Sequence, residues 1–377
     1  MRVTVAGKTR TAPGVGADVL EVAVIGAGQA GLSAAYHLVR MGFTPYDEVL
    51  VLDRNAAPGG AWQHRWDSLT MHDVHGIANL PGVPVPSSAG AEQANAFVPA
   101  YFADYEKQFD LPVLRPVAVE SVRAVAEGFE LETSNGRYDA ASLVNATGTW
   151  DRPFIPWYPG IETFEGRQLH TADYGGAAEL AGQHVLVVGG GASAVQLLAE
   201  ISEVATTTWV TRRAPEWRTG DDFTPEYGRQ VVARVEERVR AGLPPRSVVS
   251  VTGLHLRPQE QAAADRGVYT RLPMFSRITK DGVEWAAGTG PDGVAPPDHL
   301  RVDTILWATG FRADLAHLAP LHLREPSGGI RMDGTATVVD PRIHLVGYGP
   351  SASTIGANRA GFTAARALRD LLKPVAA

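Results

Sequence analysis

Cysteine is absent from the 377 residues, and that absence excludes several chemistries at once. No thiol pair can pass electrons between a cofactor and a disulfide substrate. No thiolate can attack a substrate or hold an iron–sulfur cluster. Also missing is any apolar run near the ~20 residues that a membrane helix needs. Lys and Arg (34) are outnumbered by Asp and Glu (41) and form no basic block. Nucleic acid and anionic membranes are therefore not expected partners. The leading segment MRVTVAGKTRTAPGVGAD has no apolar core of the signal-peptide kind. Residues 1–17 read as a loose extension, with the cytoplasm as the default location. No metal is expected.

Glycine, by contrast, is plentiful at 40 residues, and the hydrophobic share is 45%. The length suggests two domains, at roughly 100–200 residues each. Leu20–Ile25 (LEVAVI) is a continuous apolar run and predicts a buried parallel strand. Gly26-Ala27-Gly28-Gln29-Ala30-Gly31 follows it directly. LSAAYHLVRM then runs at helical spacing and stops at Gly42, a suitable C-cap. Glu48–Leu52 (EVLVL) predicts the next strand, which ends at Asp53. A strand, a glycine turn, a helix and a second strand ending in an acid make this GxGxxG match specific.

The pattern recurs. Gln183–Val188 predicts a strand, and Gly189-Gly190-Gly191-Ala192-Ser193-Ala194 is the turn in its GxGxxA form. Val195, Leu198, Ile201 and Val204 mark the apolar face of the next helix. Thr206–Val210 predicts the following strand, which ends in Thr211-Arg212-Arg213. Two such units imply two dinucleotides.

The rims of the two units differ. In the first, Gly26 permits the turn, Gly28 admits the pyrophosphate and Gly31 lets helix and strand pack closely. The helix start offers free N–H groups to phosphate. Asp53 can accept both ribose hydroxyls and repels a 2′-phosphate, so this unit suits FAD or NAD. In the second unit Gly189, Gly191 and Ala194 take the same backbone roles. The acid is missing, and Arg212 and Arg213 stand in its place. Guanidinium forks suit a phosphate, so NADPH is assigned here.

Weaker signals surround these units. Pro58-Gly59-Gly60-Ala61-Trp62 lets backbone pass close to a flat ring, beside which Trp62 can stack. Residues 115–148 read as short hairpins ending in a strand, LVNATG. Ala146-Thr147-Gly148 and Ala308-Thr309-Gly310 both end apolar strands, where small residues admit a cofactor or a crossing chain. Residues 224–241 predict an amphipathic helix with Tyr227, Val231, Val235 and Val239 on one face. A last amphipathic helix, about Thr354 to Leu372, follows Gly349-Pro350-Ser351-Ala352-Ser353. Its N-terminus can either favour charge on a reduced flavin or be a plain N-cap.

These residues resemble the flavin-containing monooxygenases. The most specific match is Phe164-Glu165-Gly166-Arg167-Gln168-Leu169-His170-Thr171-Ala172-Asp173-Tyr174, which fits that family's FxGxxxHxxxY fingerprint. The order GAGQAG, GGAW, ATGTWDRP, FEGRQLHTADY, GGGASA, TRR and WATGF matches along about residues 20–372. Baeyer–Villiger enzymes are similar, but their fingerprint carries Trp where this chain has Tyr174. Asp53 replaces the usual Glu. Amine-oxidising members carry Asn after GGxW, where this chain reads Ser68-Leu69-Thr70-Met71-His72-Asp73. The stretch MHDVHGIANLPGVPVP is closer to YUCCA-type and small bacterial members.

The resemblance implies hydride transfer from NADPH to FAD, capture of O2 as a flavin hydroperoxide, and oxygen delivery to N or S or attack on a carbonyl. It adds Arg54, Val119 and Thr354 to the FAD contacts, with Gly60, Trp62, Ala146, Thr147 and Gly148. It adds Ser193, His170 and Tyr174 to the NADPH contacts, although His170 reads more readily as a holder of the domain junction. His72 is the lead catalytic candidate beside the flavin, with a packing histidine as the equal alternative. Asp73 and His75 have weaker claims.

The expected fold is α/β, with two Rossmann-like dinucleotide-binding domains and the NADPH domain inserted into the FAD domain. The expected boundaries are 18–158 for the first FAD part, 159–302 for NADPH and 303–377 for the second FAD part, with the active site in the cleft between them. The expected partners are a small-molecule substrate and O2; a homodimer is admitted, not required. Three functions are weighed: the monooxygenase, a flavin reductase that passes electrons to a partner or quinone, and a non-catalytic nucleotide-sensing module. A Baeyer–Villiger reaction ranks below the first.

Overall fold

The computed structural model describes residues 2–5, 8–11, 19–74, 76–88, 90–218, 233, 235–245, 254–286 and 295–374. The chain divides into two compact units. One is drawn from Met1–Gly148, Gln230–Val248 and Ala313–Ala377, the other from Thr149–Arg229 and Val249–Arg312.

The first unit is built on five parallel strands. Leu20–Ile25 lies between Gly136–Asn145 and Val49–Leu52. Val113–Leu114 extends the sheet beyond Val49–Leu52, and Ile343–Leu345 extends it beyond Gly136–Asn145. The central strands are apolar on both faces because both faces are covered. On one face, helices Gln29–Arg40, Ala94–Gln108 and Thr354–Leu372 bury Leu32, Leu38, Phe102 and Leu368. The first and last of these helices approach closely: a β-carbon on Gly361 would lie 2.6 Å from Ser33 Oγ. On the other face, the antiparallel strands Val119–Val125 and Gly128–Thr133 bring in Val122, Phe129 and Leu131.

The second unit repeats the plan. His184–Val188 lies between Thr206–Val210 and Thr304–Trp307, with Arg271–Leu272 and Arg167–His170 outside them, all parallel. In each unit, then, the strand before the glycine turn sits between the strand ending in the acid or arginines and the strand ending in Ala-Thr-Gly.

Three expectations change. The boundary at residue 303 is overturned, because Thr304–Trp307 pairs with His184–Val188 as Gly136–Asn145 pairs with Leu20–Ile25. The second unit therefore runs to Arg312 and begins at Thr149. Residues 235–240 are helical, but they leave the NADPH segment to pack in the first unit. Val239 joins Leu315, Ile330 and Tyr348 in one apolar cluster. Gly329 makes room for that segment, since a β-carbon there would lie 2.4 Å from Gly242 O. Tyr227, Val231 and His75 lie outside the described residues. Finally, Arg2–Val5 pairs antiparallel with Lys8–Thr11 instead of forming a loose extension. RVTV and KTRT place Val and Thr at alternate positions, a strand pattern that its shortness conceals.

Candidate functional site

Each unit carries one cradle at the end of its Gly-flanked strand. In the first, Gly26 has φ +97°. A β-carbon on it would lie 2.8 Å from Ala146 O, so the turn and the Ala146-Thr147-Gly148 strand end are in backbone contact. Gly31 is tighter still, with its would-be β-carbon 1.9 Å from Gly26 O. Gly60 closes the cradle from the other side, because a β-carbon on it would lie 2.8 Å from Gly28 Cα. Three backbones meet here, and only glycine allows each approach.

The helix beginning at Gln29 has no side-chain cap and no acid in its first turn. Its first N–H groups are therefore offered outward with their partial positive charge. Gln29 itself is locked: its Nε2 donates to Ala78 O at 3.1 Å and to Asn358 Oδ1 at 2.9 Å. Its buried Oε1 has no partner among the described residues. An open helix end and an orphaned acceptor beside three glycines fit a dinucleotide whose phosphates and hydroxyls complete them.

At the rim, Asp53 is buried to 2% exposure. Its backbone is held on both sides, its N–H donating to Leu114 O and its O accepting from Val117 N–H. Arg115 Nε donates to Asp53 Oδ2 at 2.7 Å, and Asn55 Nδ2 donates to Oδ1 at 3.2 Å. Val119 begins its strand two residues beyond Val117. Arg54 pairs with Asp314 at 3.1 Å. Asp314 in turn ties down the strand end: its O accepts from Thr147 Oγ1 at 2.6 Å, and its N–H donates to Gly148 O at 3.0 Å. Trp62 lies in the short helix Gly60–His64, with the Arg65 guanidinium 5.6 Å from its ring centre.

The last helix starts at Thr354, whose side chain lies outside the described ones. Its N-terminus is taken by Ser353, whose Oγ accepts from Gly356 N–H at 3.1 Å. Ser353 thus caps this helix. His72 is exposed on a turn, its N–H donating to Gly90 O at 2.9 Å. Asp73 accepts from Thr70 Oγ1 at 2.6 Å and so braces that same turn.

The second cradle repeats the geometry. Gly189 has φ +142°, and a β-carbon on it would lie 2.2 Å from Ala308 O. Around Gly191 there is open space, and the helix after it, Ala192–Ile201, again has neither cap nor first-turn acid. Ser193 is partly exposed in that first turn, while Ala194 is fully buried where the first unit has Gly31. Arg212 and Arg213 are exposed, and among the described residues neither pairs with a carboxylate. Two such guanidinium groups beside an uncapped helix fit a 2′-phosphorylated dinucleotide.

The fingerprint residues have protein partners within this unit. Phe164 packs in its core, and Gly166 leaves room for that ring at 2.4 Å from its would-be β-carbon. His170 is 1% exposed. Its Nδ1 accepts from Ala172 N–H at 3.1 Å, so the neutral ring donates from Nε2 to Gly310 O at 3.0 Å. Burial lowers its pKa, in keeping with that neutral form. Tyr174 is buried against Glu200 of the helix, and burial followed by that carboxylate raises its pKa. His170 thus fixes the end of one strand and Tyr174 the helix of the glycine turn. Both side chains are thus tied to protein neighbours within the unit.

Sequence reading missed Arg115, Glu106, Asn358 and Trp209. Trp209 Nε1 donates to Gly189 O at 2.6 Å and pins the turn. Only its place at the end of an apolar strand hinted at this. Arg115 and Asn358 act across long sequence separations that no local pattern records.

The family model for pyridine nucleotide-disulphide oxidoreductases matches residues 23–253. A flavin-containing monooxygenase from Stenotrophomonas maltophilia is 36% identical, with a TM-score of 0.79 over 94% of this chain and 99% of that one. The oxidoreductase CzcO of Bacillus subtilis is 32% identical over 292 residues, 78% of this chain and 81% of that protein. A Baeyer–Villiger monooxygenase of Streptomyces coelicolor is 32% identical over 209 residues, 52% of this chain and 38% of that protein. The chain belongs to the pyridine nucleotide-disulphide oxidoreductase family, among its flavin-containing monooxygenases, and FAD and NADPH are the cofactors that this membership implies.

Proposed function

We propose that this protein is a single-component, NADPH- and FAD-dependent monooxygenase that oxygenates a small organic substrate at N or S, or attacks a keto compound. The observation that carries the reading is the pairing of two cradles with opposite rims in a chain without cysteine. The carboxylate of Asp53 suits an unsubstituted ribose, and Arg212 with Arg213 suits a 2′-phosphate. A disulfide reductase of the same family needs a thiol pair, which this chain lacks, so O2 is the acceptor we assign.

The second cradle would hold NADPH as the source of a hydride, and the first would hold FAD as its acceptor and as the group that reacts with O2. The chain's own residues bind and orient. Gly26, Gly28, Gly31 and Gly60 admit the FAD backbone, while Gln29 offers it a fixed acceptor. Ala146, Thr147 and Gly148 form the neighbouring strand end, held by Asp314. Gly189, Gly191 and Ser193 admit the second nucleotide, and His170, Tyr174 and Trp209 keep that turn in place. No acid–base pair is required of the protein, whose task is positioning and exclusion of water.

The test is stoichiometric. Purified protein receives NADPH and O2 with a panel of thioethers, amines, indole keto acids and ketones. Product mass is compared with NADPH consumed, using isotopically heavy O2. Incorporation of one heavy oxygen per NADPH into some member of the panel is expected. NADPH consumption with electrons passed to a quinone, and no label in any product, replaces this reading with the reductase.

A further inference from the structure

Asp53 does not stand alone at the rim of the first cradle. Its Oδ2 accepts from Arg115 Nε at 2.7 Å, and Arg115 turns its other two nitrogens away to Glu106. Nη1 donates to Glu106 Oε2 at 2.6 Å and Nη2 to Oε1 at 2.7 Å, a bidentate pair. All three side chains are nearly buried, at 3% for Asp53, 11% for Arg115 and 13% for Glu106. Glu106 comes from the helix Ala94–Gln108, and Arg115 follows the strand Val113–Leu114.

Two carboxylates and one guanidinium leave a net charge of −1. Without Glu106 the sum would be zero, and both Nη groups of Arg115 would be free. A guanidinium with a free fork is what binds a phosphate well. The second cradle shows that arrangement, with Arg212 and Arg213 lacking a carboxylate among the described residues. Among the described residues, the two cradles therefore differ less in possessing arginine than in whether a carboxylate occupies it.

We propose that Glu106 determines nucleotide specificity at the first cradle: by occupying the Arg115 fork it keeps the rim negative and so excludes dinucleotides that carry a 2′-phosphate. This rests on the reading that Asp53 meets the adenosine ribose. Arg115 is then a positioning residue for Asp53, and Glu106 is what stops it from becoming a phosphate ligand.

The test displaces FAD from the full-length holoprotein with ADP or with 2′-phospho-ADP, read as release of flavin fluorescence. The wild type should release FAD with ADP at concentrations about tenfold or more below those needed for 2′-phospho-ADP. Glu106→Gln should narrow that ratio by about tenfold. Adding Arg115→Met to Glu106→Gln should restore it, because Asp53 is again uncompensated. Glu106→Asp, which keeps the charge but cannot reach both nitrogens, should fall between. Equal displacement of wild-type FAD by the two probes overturns the proposal even if no variant folds. An unchanged ratio in Glu106→Gln overturns it as well. Asp53→Asn separates the layers: if it alters neither FAD retention nor the ratio, the ribose reading of Asp53 itself fails. If it alters both while Glu106→Gln alters neither, only the role given to Glu106 fails.

Discussion

Gly189 and Ala308 are in backbone contact: a β-carbon on Gly189 would sit 2.2 Å from the Ala308 carbonyl oxygen. Gly26 stands to Ala146 in the same relation, at 2.8 Å. In both units the first glycine of the turn and the strand ending in Ala-Thr-Gly are one joint. The Ala-Thr-Gly ends, weak signals by themselves, are explained as the surfaces on which the glycine turns rest.

Gly189→Ala must therefore shift either the turn or the strand end, and it adds strain at a φ of +142°. A stability loss of about 2 kcal/mol or more is expected. Gly191→Ala meets nothing within 4 Å. That variant should keep the wild-type melting temperature and lose NADPH affinity, because its methyl group enters the space offered to the nucleotide. Thermal unfolding and an NADPH titration of the two variants check this together. Equal melting temperatures for both would mean that the joint yields easily.

The exposed pair Arg212 and Arg213 carries the preference for a 2′-phosphate in our reading. Replacing both by Ala should weaken NADPH by about tenfold or more, at ~1.5–3 kcal/mol for each charge-assisted hydrogen bond removed. NADH should be little affected. Equal weakening of NADPH and NADH would assign the arginines to general attraction and leave the 2′-phosphate without a ligand.

Much of the fold was legible because it is local and periodic. Leu20–Ile25, the glycine turn and the helix after it are contiguous, and the sequence order alone specifies them. The C-terminal helix has the bounds expected of it, Thr354–Leu372. What was not legible acts across the chain. The place of Thr304–Trp307 depends on which sheet it joins, and an apolar strand suits either. The segment holding Val239 packs in one unit although it lies in sequence within the other. Asp53 meets Arg115, 62 residues along the chain, and only through it Glu106 of the helix Ala94–Gln108. No spacing rule reports a contact between Asp53 and Arg115, nor the hold of His170 on Gly310. The fingerprint run was recognisable, yet the protein partners of its residues were not.

Tyr174 illustrates that last point. Its hydroxyl is buried beside Glu200 on the helix that follows the second glycine turn. Tyr174→Phe removes the hydroxyl and leaves the ring. It should cost about 1 kcal/mol of stability and leave the ratio of NADPH to NADH affinity unchanged. Denaturant unfolding followed by two nucleotide titrations would check it. A changed ratio with unchanged stability would return Tyr174 to the nucleotide site.

His344 sets a pH limit on the first unit. It lies on the strand Ile343–Leu345, 1% exposed, with Nδ1 2.9 Å from Thr335 Oγ1. Burial lowers its pKa to about 4, against a smaller opposing effect from the Pro341 carbonyl. The folded protein therefore favours the neutral ring. Above the ordinary histidine value of about 6.5 neither state is protonated, and the group does not affect stability. As the pH falls below that value the unfolded chain takes up a proton that the folded chain refuses, and stability is lost until the folded value is reached. Between pH ~7.5 and ~5 this residue should remove about 2 kcal/mol. His344→Gln can still hydrogen-bond Thr335 and cannot titrate. Its unfolding free energy, measured in urea at both pH values, should fall by about 2 kcal/mol less than that of the wild type. Parallel losses in the two proteins would mean that His344 accepts its proton in the folded state.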